Sequence, residues 1–328
     1  MEFRLTDEQL ELQAAIRSFC ETQYTLATLG ELDRDPLRGD GWQRLAALDV
    51  FRVASSTEQG GLGLGVVDAS VVFEVLGAYL VPGPLVWSAL AARYVPELGD
   101  GSRVIGGLDA TAVSDESVLV EYARDLDALL VMRVDGLHLV APEDIASLEA
   151  VEPTDPLTPV ALALGIPRGR IVLDAATTAQ LRVVGTVLTA ALLVGIADRA
   201  TRSGVDYAQQ RTQFGRPIGS FQAIKHLLAD SYVRASLARS ATYAAAAMLD
   251  DPDVGDADRA ASAAKLLSTD AAIRNSRTCI QTHGGMGFTW EMIPHYLLKR
   301  AWVLDHSFGE RKHHEEIMAN ALEREMSH

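Results

Sequence analysis

The residues best suited to hold an anion lie in two windows with no acidic side chain. Between Asp206 and Asp230 there is no carboxylate, and the window holds Arg211, Arg216 and Lys225, with His226 beside Lys225. Between Asp270 and Glu291 there is again none, with Arg274 and Arg277 inside. Each window contains a glycine-bearing break: Arg211 to Pro217 (RTQFGRP) and Gln281 to Gly287 (QTHGGMG). Guanidinium donors, free N–H groups at a helix start and glycines that permit close approach together make a phosphate site. Chance spacing with ordinary helix-turn chemistry gives the same pattern, so the spacing alone leaves both readings open.

Other chemistry is weaker. Gln59 to Gly65 (QGGLGLG) is glycine-rich before a helix, but no Lys-Ser/Thr pair follows, which argues for a tight connection over a phosphate loop. His306, His313, His314 and Glu315 cluster near a helix start with no further residue at ligand spacing, so no metal is expected.

The elements that must position these windows are mostly helical. Thr6 and Gln9 have capping-box spacing, and Leu10, Ile16 and Phe19 give a partial apolar stripe behind them. A short helix is expected around Trp42 to Leu48 and a buried one from Val66 to Leu80, stopped by Pro82-Gly83-Pro84. From Gly101 to Asp174 short β-branched runs alternate with turns, and Asp135-Gly136 between two of them signals a hairpin. From Ala175 the chain is helical again. One long helix is expected to Gln210, a second through Met248, a third from Arg259 to Ile280, and the last after Gly284-Gly285. The expected fold class is α+β, mostly α. Its parts are a helical domain over 1–98, a shortened β domain over 99–174, and a four-helix bundle over 175–328.

Composition bounds the partners. The 328 residues are 48% hydrophobic, and 44 acidic against 29 basic residues give a net charge of -15. That balance excludes a protein that coats nucleic acid or an anionic membrane, since both need a basic footprint. Cys20 and Cys279 make no disulfide scaffold, and the acid-bearing N-terminus MEFRLTDEQL has no apolar signal core. The uncharged run Val183 to Ala197 is too short to span a bilayer, so a cytoplasmic protein is expected.

The two windows also carry a resemblance. Arg211 to Ile218, followed by Phe221-Gln222-Ala223, and Gln281 to Phe288 resemble the two C-terminal signatures of the acyl-CoA dehydrogenase family. Glu58 to Gly65, with Asp68 after it, resembles that family's first helical domain, and the helical, β, helical order is its architecture. The match is specific in the C-terminal half and poor in the middle. The resemblance implies FAD held across a subunit interface, with Arg211, Phe214, Gln281, Gly284 and Gly285 on its ADP portion. It also implies α,β-dehydrogenation of an acyl-CoA, in which a carboxylate takes the α-proton and flavin receives the β-hydrogen. Electron transfer flavoprotein is the reoxidant that the family implies.

The departures from the family are informative. Its usual base position falls on Gly309, with Glu310 one residue late, and its alternative base position falls on Gly185. Thr186 stands where an arginine for the CoA pyrophosphate is usual, and Arg182 lies one turn earlier. The segments that line the flavin ring are missing from the β region. The remaining candidate bases are Glu291, Asp305 and Glu310.

The sequence thus resembles the shorter, degenerate subunit of α2β2 acyl-CoA dehydrogenases that act in steroid breakdown. A longer partner subunit would supply the base and most of the acyl-CoA site. Two alternatives remain: a self-sufficient enzyme whose base is relocated to Glu310 or Asp305, and a flavin-free structural homologue.

Overall fold

A computed structural model describes residues 5–33, 35–111 and 117–326. The first four residues, part of the N-terminal stretch read for a signal segment, lie outside this range. The chain divides into two compact units, one formed by Met1–Gly30, Ser70–Val81 and Thr186–His328 and the other by Glu31–Ala69 and Pro82–Gly185.

The element order is helical, β, helical. Five helices come first: α1 (Asp7–Gln23), α2 (Leu26–Glu31), α3 (Gly41–Ala47), α4 (Val66–Ala78) and α5 (Leu85–Tyr94). The capping box forms as its spacing predicts, with Gln9 N–H donating to Thr6 Oγ1 at 3.2 Å and Thr6 N–H to Gln9 Oε1 at 3.1 Å. Helix α5 follows the Pro82-Gly83-Pro84 stop at once, because a proline is tolerated at a helix entry where its missing N–H has no intrahelical partner anyway.

Seven strands follow: β1 (Ile105–Asp109), β2 (Val118–Glu121), β3 (Ala128–Arg133), β4 (Gly136–Val140), β5 (Leu148–Val151), β6 (Val160–Ala163) and β7 (Arg170–Asp174). They form a four-stranded sheet, β1-β3-β4-β7, and a three-stranded antiparallel one, β2-β6-β5. Only β1 and β3 run parallel in the first. Val118, Val120, Ala161 and Ala163 of the small sheet bury against Leu129, Val131 and Val140 of the large one. The alternating position Leu119 is 54% exposed, as a two-residue period requires. The predicted hairpin forms between β3 and β4, with Arg133 opposite Gly136, so Val134 and Asp135 make its tip. Asp135 accepts from His138 Nε2 at 2.8 Å and from Arg168, which holds its carboxyl below the usual range.

The last elements are α6 (Ala175–Gln210), a small hairpin β8–β9 (Thr212–Gln213 and Arg216–Pro217), α7 (Gln222–Asp250), α8 (Ala257–His283), α9 (Pro294–Asp305) and α10 (Arg311–Met326). By length and composition α6 qualifies to cross a membrane, with a mean hydropathy of 1.8 over its most apolar window. However, 78% of that window is buried inside the protein, which is the signature of a core helix.

Helix α6 approaches α4 backbone to backbone. A Cβ on Gly77 would lie 2.0 Å from the Leu192 carbonyl oxygen, and a Cβ on Gly195 would lie 2.0 Å from that of Glu74. Beside this crossing Glu74 accepts two hydrogen bonds from Arg239 Nε and Nη2, at 3.0 and 2.9 Å, and one from Tyr243 at 2.8 Å. Asp198 pairs with the same arginine at 3.2 Å. A buried carboxylate is tolerated because every lone pair faces a donor.

Neither helix can withdraw without opening this layer. Gly77→Ala or Gly195→Ala is expected to cost about 3 kcal/mol or more, the upper range for overpacking. Gly285→Ala, where a Cβ meets nothing within 4 Å, is expected to stay within about 0.5 kcal/mol of the parent. Denaturant unfolding of the three variants measures the contrast.

Candidate functional site

The two acid-free windows meet. Tyr207, one turn before Arg211, stacks on His283, two residues after Gln281, with ring centroids 4.1 Å apart. His283 Nδ1 donates to the Cys279 carbonyl at 2.8 Å, and burial lowers its pKa, so the ring is neutral and rigidly oriented. The stack staples the C-terminal end of α6 to that of α8.

Arg211 follows α6 directly. Its N–H donates to Tyr207 at 2.8 Å and its carbonyl accepts from Ile218 N–H at 2.8 Å, which closes the base of the β8–β9 hairpin. The tip residues Phe214 and Gly215 both have positive φ, 52° and 77°, as a two-residue turn matched to strand twist demands. Phenylalanine there is strained, and its ring is 91% exposed. Phe221 lies edge-on to it at 6.1 Å, with the Arg216 guanidinium 4.1 Å over the Phe221 ring. Among the described residues the Arg211 side chain has no carboxylate partner. The sequence pattern had suggested only a helix break at this point. Gly215 is the only turn signal between Gln213 and Arg216, and the phenylalanine before it masks the hairpin.

Gln281 is exposed on α8, and Gly284 and Gly285 open onto space that no atom enters within 4 Å. Gly284 has φ 60° and begins a 3-10 turn, Gly284–Phe288, that extends the C-terminal end of α8. This corrects one expectation. The glycines do not open a helix N-terminus, since α9 begins only at Pro294. The end of a helix that lies here carries partial negative charge, so attraction for an anion comes from Arg211 and not from a helix dipole.

The candidate bases are not brought together. Glu291 sits exposed in the turn before α9, and Asp305 ends that helix, about 18 Å of helical rise away. Glu310 is three-quarters exposed, 3.5 Å from His306 Nδ1. The Asp305 main-chain carbonyl accepts from Lys265 Nζ at 2.8 Å. Lys265 is almost fully buried, and burial lowers its pKa to about 8.

Gly309, at the usual base position, has φ 111°. A Cβ there would lie 2.7 Å from His313 Cδ2 and 3.0 Å from His314 Nε2. A side chain there would strain the backbone and require both rings to shift, and the neighbouring Thr186 hydroxyl is used on the Phe308 carbonyl, at 3.5 Å. In the other unit Arg182 donates to Asp109 Oδ1 at 2.7 Å and to Thr111, so its guanidinium is already committed. Among the described residues no three His, Cys, Asp or Glu side chains gather as a metal site.

With that geometry in hand, likeness to known proteins is direct. Residues 6–100 match the acyl-CoA dehydrogenase N-terminal domain, and residues 179–323 match the acyl-CoA dehydrogenase C-terminal domain. The acyl-CoA dehydrogenase IpdE2 of Mycobacterium tuberculosis is 36% identical over 268 residues, 74% of each chain. FadE34 of the same organism, also an acyl-CoA dehydrogenase, is 33% identical over 90% of this chain. This chain spans 45% of the length of FadE34. The crystal structure of the ChsE4-ChsE5 complex from M. tuberculosis superposes with a TM-score of 0.83 at 23% identity, covering 98% of this chain and 99% of that one. The chain therefore belongs to the acyl-CoA dehydrogenase family.

The crowded turn at Gly309 has a pH consequence. Burial first, then the nearby Lys265 and His313, lower the His314 pKa from 6.5 to about 3. The folded protein therefore keeps this ring neutral where the unfolded chain protonates it. Its contribution is complete above pH 6.5 and is lost progressively as pH falls towards 3. His314→Gln is expected to flatten the fall in melting temperature between about pH 7 and about pH 5, read by thermal denaturation across that range.

Proposed function

We propose that this chain is a subunit of an FAD-dependent acyl-CoA dehydrogenase. It supplies contacts to the ADP half of the cofactor, while a longer partner subunit supplies the catalytic base. The observation that carries this reading is a contrast within one unit. The position at Gly309 carries no carboxylate and is crowded by two histidine rings, whereas the edge formed by Arg211, Phe214, Gln281, Gly284 and Gly285 is exposed and free of carboxylates.

The residues fit the cofactor. Arg211 would meet the pyrophosphate with an uncommitted guanidinium, Gln281 would add an amide, and Gly284 and Gly285 would let the backbone approach. Phe214, strained and outward-facing, would cover an apolar part of the cofactor or of the partner chain. Bound FAD would accept the β-hydrogen of the acyl-CoA while a base on the partner takes the α-proton. This chain's own part is to bind and orient.

The domain boundaries proposed are 1–98, 99–174 and 175–328, in an α2β2 assembly. The proposed substrate is an acyl-CoA, with a steroid-derived acyl group as the reading that the sequence resemblance implies. Electron transfer flavoprotein would reoxidise the complex. The site of action would be the cytoplasm.

The edge is tested by flavin affinity. In the complex with its longer partner, Arg211→Ala is expected to weaken FAD binding ten- to a hundredfold, the loss of about 1.5–3 kcal/mol for a hydrogen bond to a charged group. Glu310→Gln is expected to leave turnover unchanged. Undiminished FAD binding by Arg211→Ala would refute the assignment of the edge. Loss of turnover in Glu310→Gln would favour a base relocated within this chain.

A further inference from the structure

The net charge reverses in a third place, away from the cofactor edge. A cavity of about 250 Å³ lies between α1, α4, α6 and α7, lined by Leu5, Gln13, Arg17, Glu74, Arg202, Arg239, Ser240 and Tyr243. Three guanidinium groups face it against the Glu74 carboxylate, with Asp198 beside it paired to Arg202 and Arg239, in a chain whose net charge is -15. The carboxylate is already saturated, because Glu74 takes its hydrogen bonds from Arg239 and Tyr243. Arg202 is held by Asp198 at 2.6 Å from one side and is otherwise exposed. Arg17 and Gln13 have no hydrogen-bond or ion-pair partner among the described residues.

The uncommitted groups are rich in donors: the Arg17 fork, the Gln13 NH2 and the outer edge of Arg202, with the Gln13 carbonyl oxygen as the one acceptor among them. Arg202 comes from α6, held against α4 by the Gly77–Gly195 crossing, and Arg17 and Gln13 come from α1, tied to α4 by the hydrogen bond that Tyr79 donates to Glu21 at 2.9 Å. A planar guanidinium with a neighbouring amide matches the oxygens of a carboxylate or phosphate.

We propose that this cavity binds a small oxyanion, a carboxylate or phosphate group, with Arg17 as its main ligand and Gln13 and Arg202 beside it. The proposal does not depend on the cofactor reading, since the cavity shares no residue with the Arg211 edge.

Isothermal titration of the full chain with sodium phosphate, and separately with sodium acetate, tests it at constant ionic strength. At least one anion is expected to bind saturably, and which one does assigns the oxyanion. Arg17→Ala should weaken that binding at least tenfold. Gln13→Glu, which places a carboxylate in the cavity, should abolish it. Arg211→Ala should leave it intact, so phosphate held at the Arg211 edge is separated from phosphate held here. If Arg17→Ala fails to fold, Gln13→Glu carries the test alone. No saturable binding of either anion would overturn the proposal. So would binding that survives Gln13→Glu.

Discussion

The backbone contact between α4 and α6 is the constraint from which the helical unit is built. Two glycines, Gly77 and Gly195, let the helices meet at a distance where any Cβ would collide with a carbonyl oxygen. The close approach then buries Glu74, and the buried carboxylate must recruit Arg239 and Tyr243 from α7. Three helices are thereby fixed by one steric fact and one electrostatic requirement. The far end of α6 inherits that rigidity, and the Tyr207–His283 stack passes it to α8. The exposed residues around Arg211 and Gly284 are thus carried on a stiff frame, which suits a surface that must hold a ligand or a second chain without paying to order itself first.

Charge and sterics divide the labour of this molecule. Acidic residues dominate the chain, so every place where they are missing attracts anions by contrast. At the proposed cofactor edge the attraction would come from a guanidinium, since α8 presents its C-terminal end there. At the turn after α9 the logic reverses. Lys265 is spent on main-chain carbonyls, and His313 and His314 fill the space over Gly309. The chain lacks a side chain at Gly309, and two histidine rings crowd the position.

Much of this was legible in the sequence. The long proline-free stretch gave α6 its full extent from Ala175 to Gln210, and the alternation of β-branched runs gave five of the seven strands before α6. The two strands that escaped, Val118–Glu121 and Leu148–Val151, are four residues each and put an acidic or small residue where a strand pattern wants a branched one. The β8–β9 hairpin escaped because a Phe-Gly tip is an unfavourable choice for positive φ, tolerated only under strain. The Arg211 and Gln281 windows were visible as gaps in the acidity, yet their meeting depends on a ring stack between residues 76 apart in sequence, which no local pattern reveals. That Gly309 occupies a base position could be read from the resemblance. That the position is crowded by His313 and His314 shows only in three dimensions.

The central claim is that this chain holds part of a cofactor it cannot use alone. Native mass spectrometry with flavin absorbance, on the chain purified alone and co-purified with a longer acyl-CoA dehydrogenase subunit, measures it directly. The account predicts no stoichiometric FAD and no acyl-CoA oxidation for the chain alone, and a flavin-loaded, active hetero-oligomer with the partner. One FAD per subunit and acyl-CoA oxidation by the chain alone would contradict it.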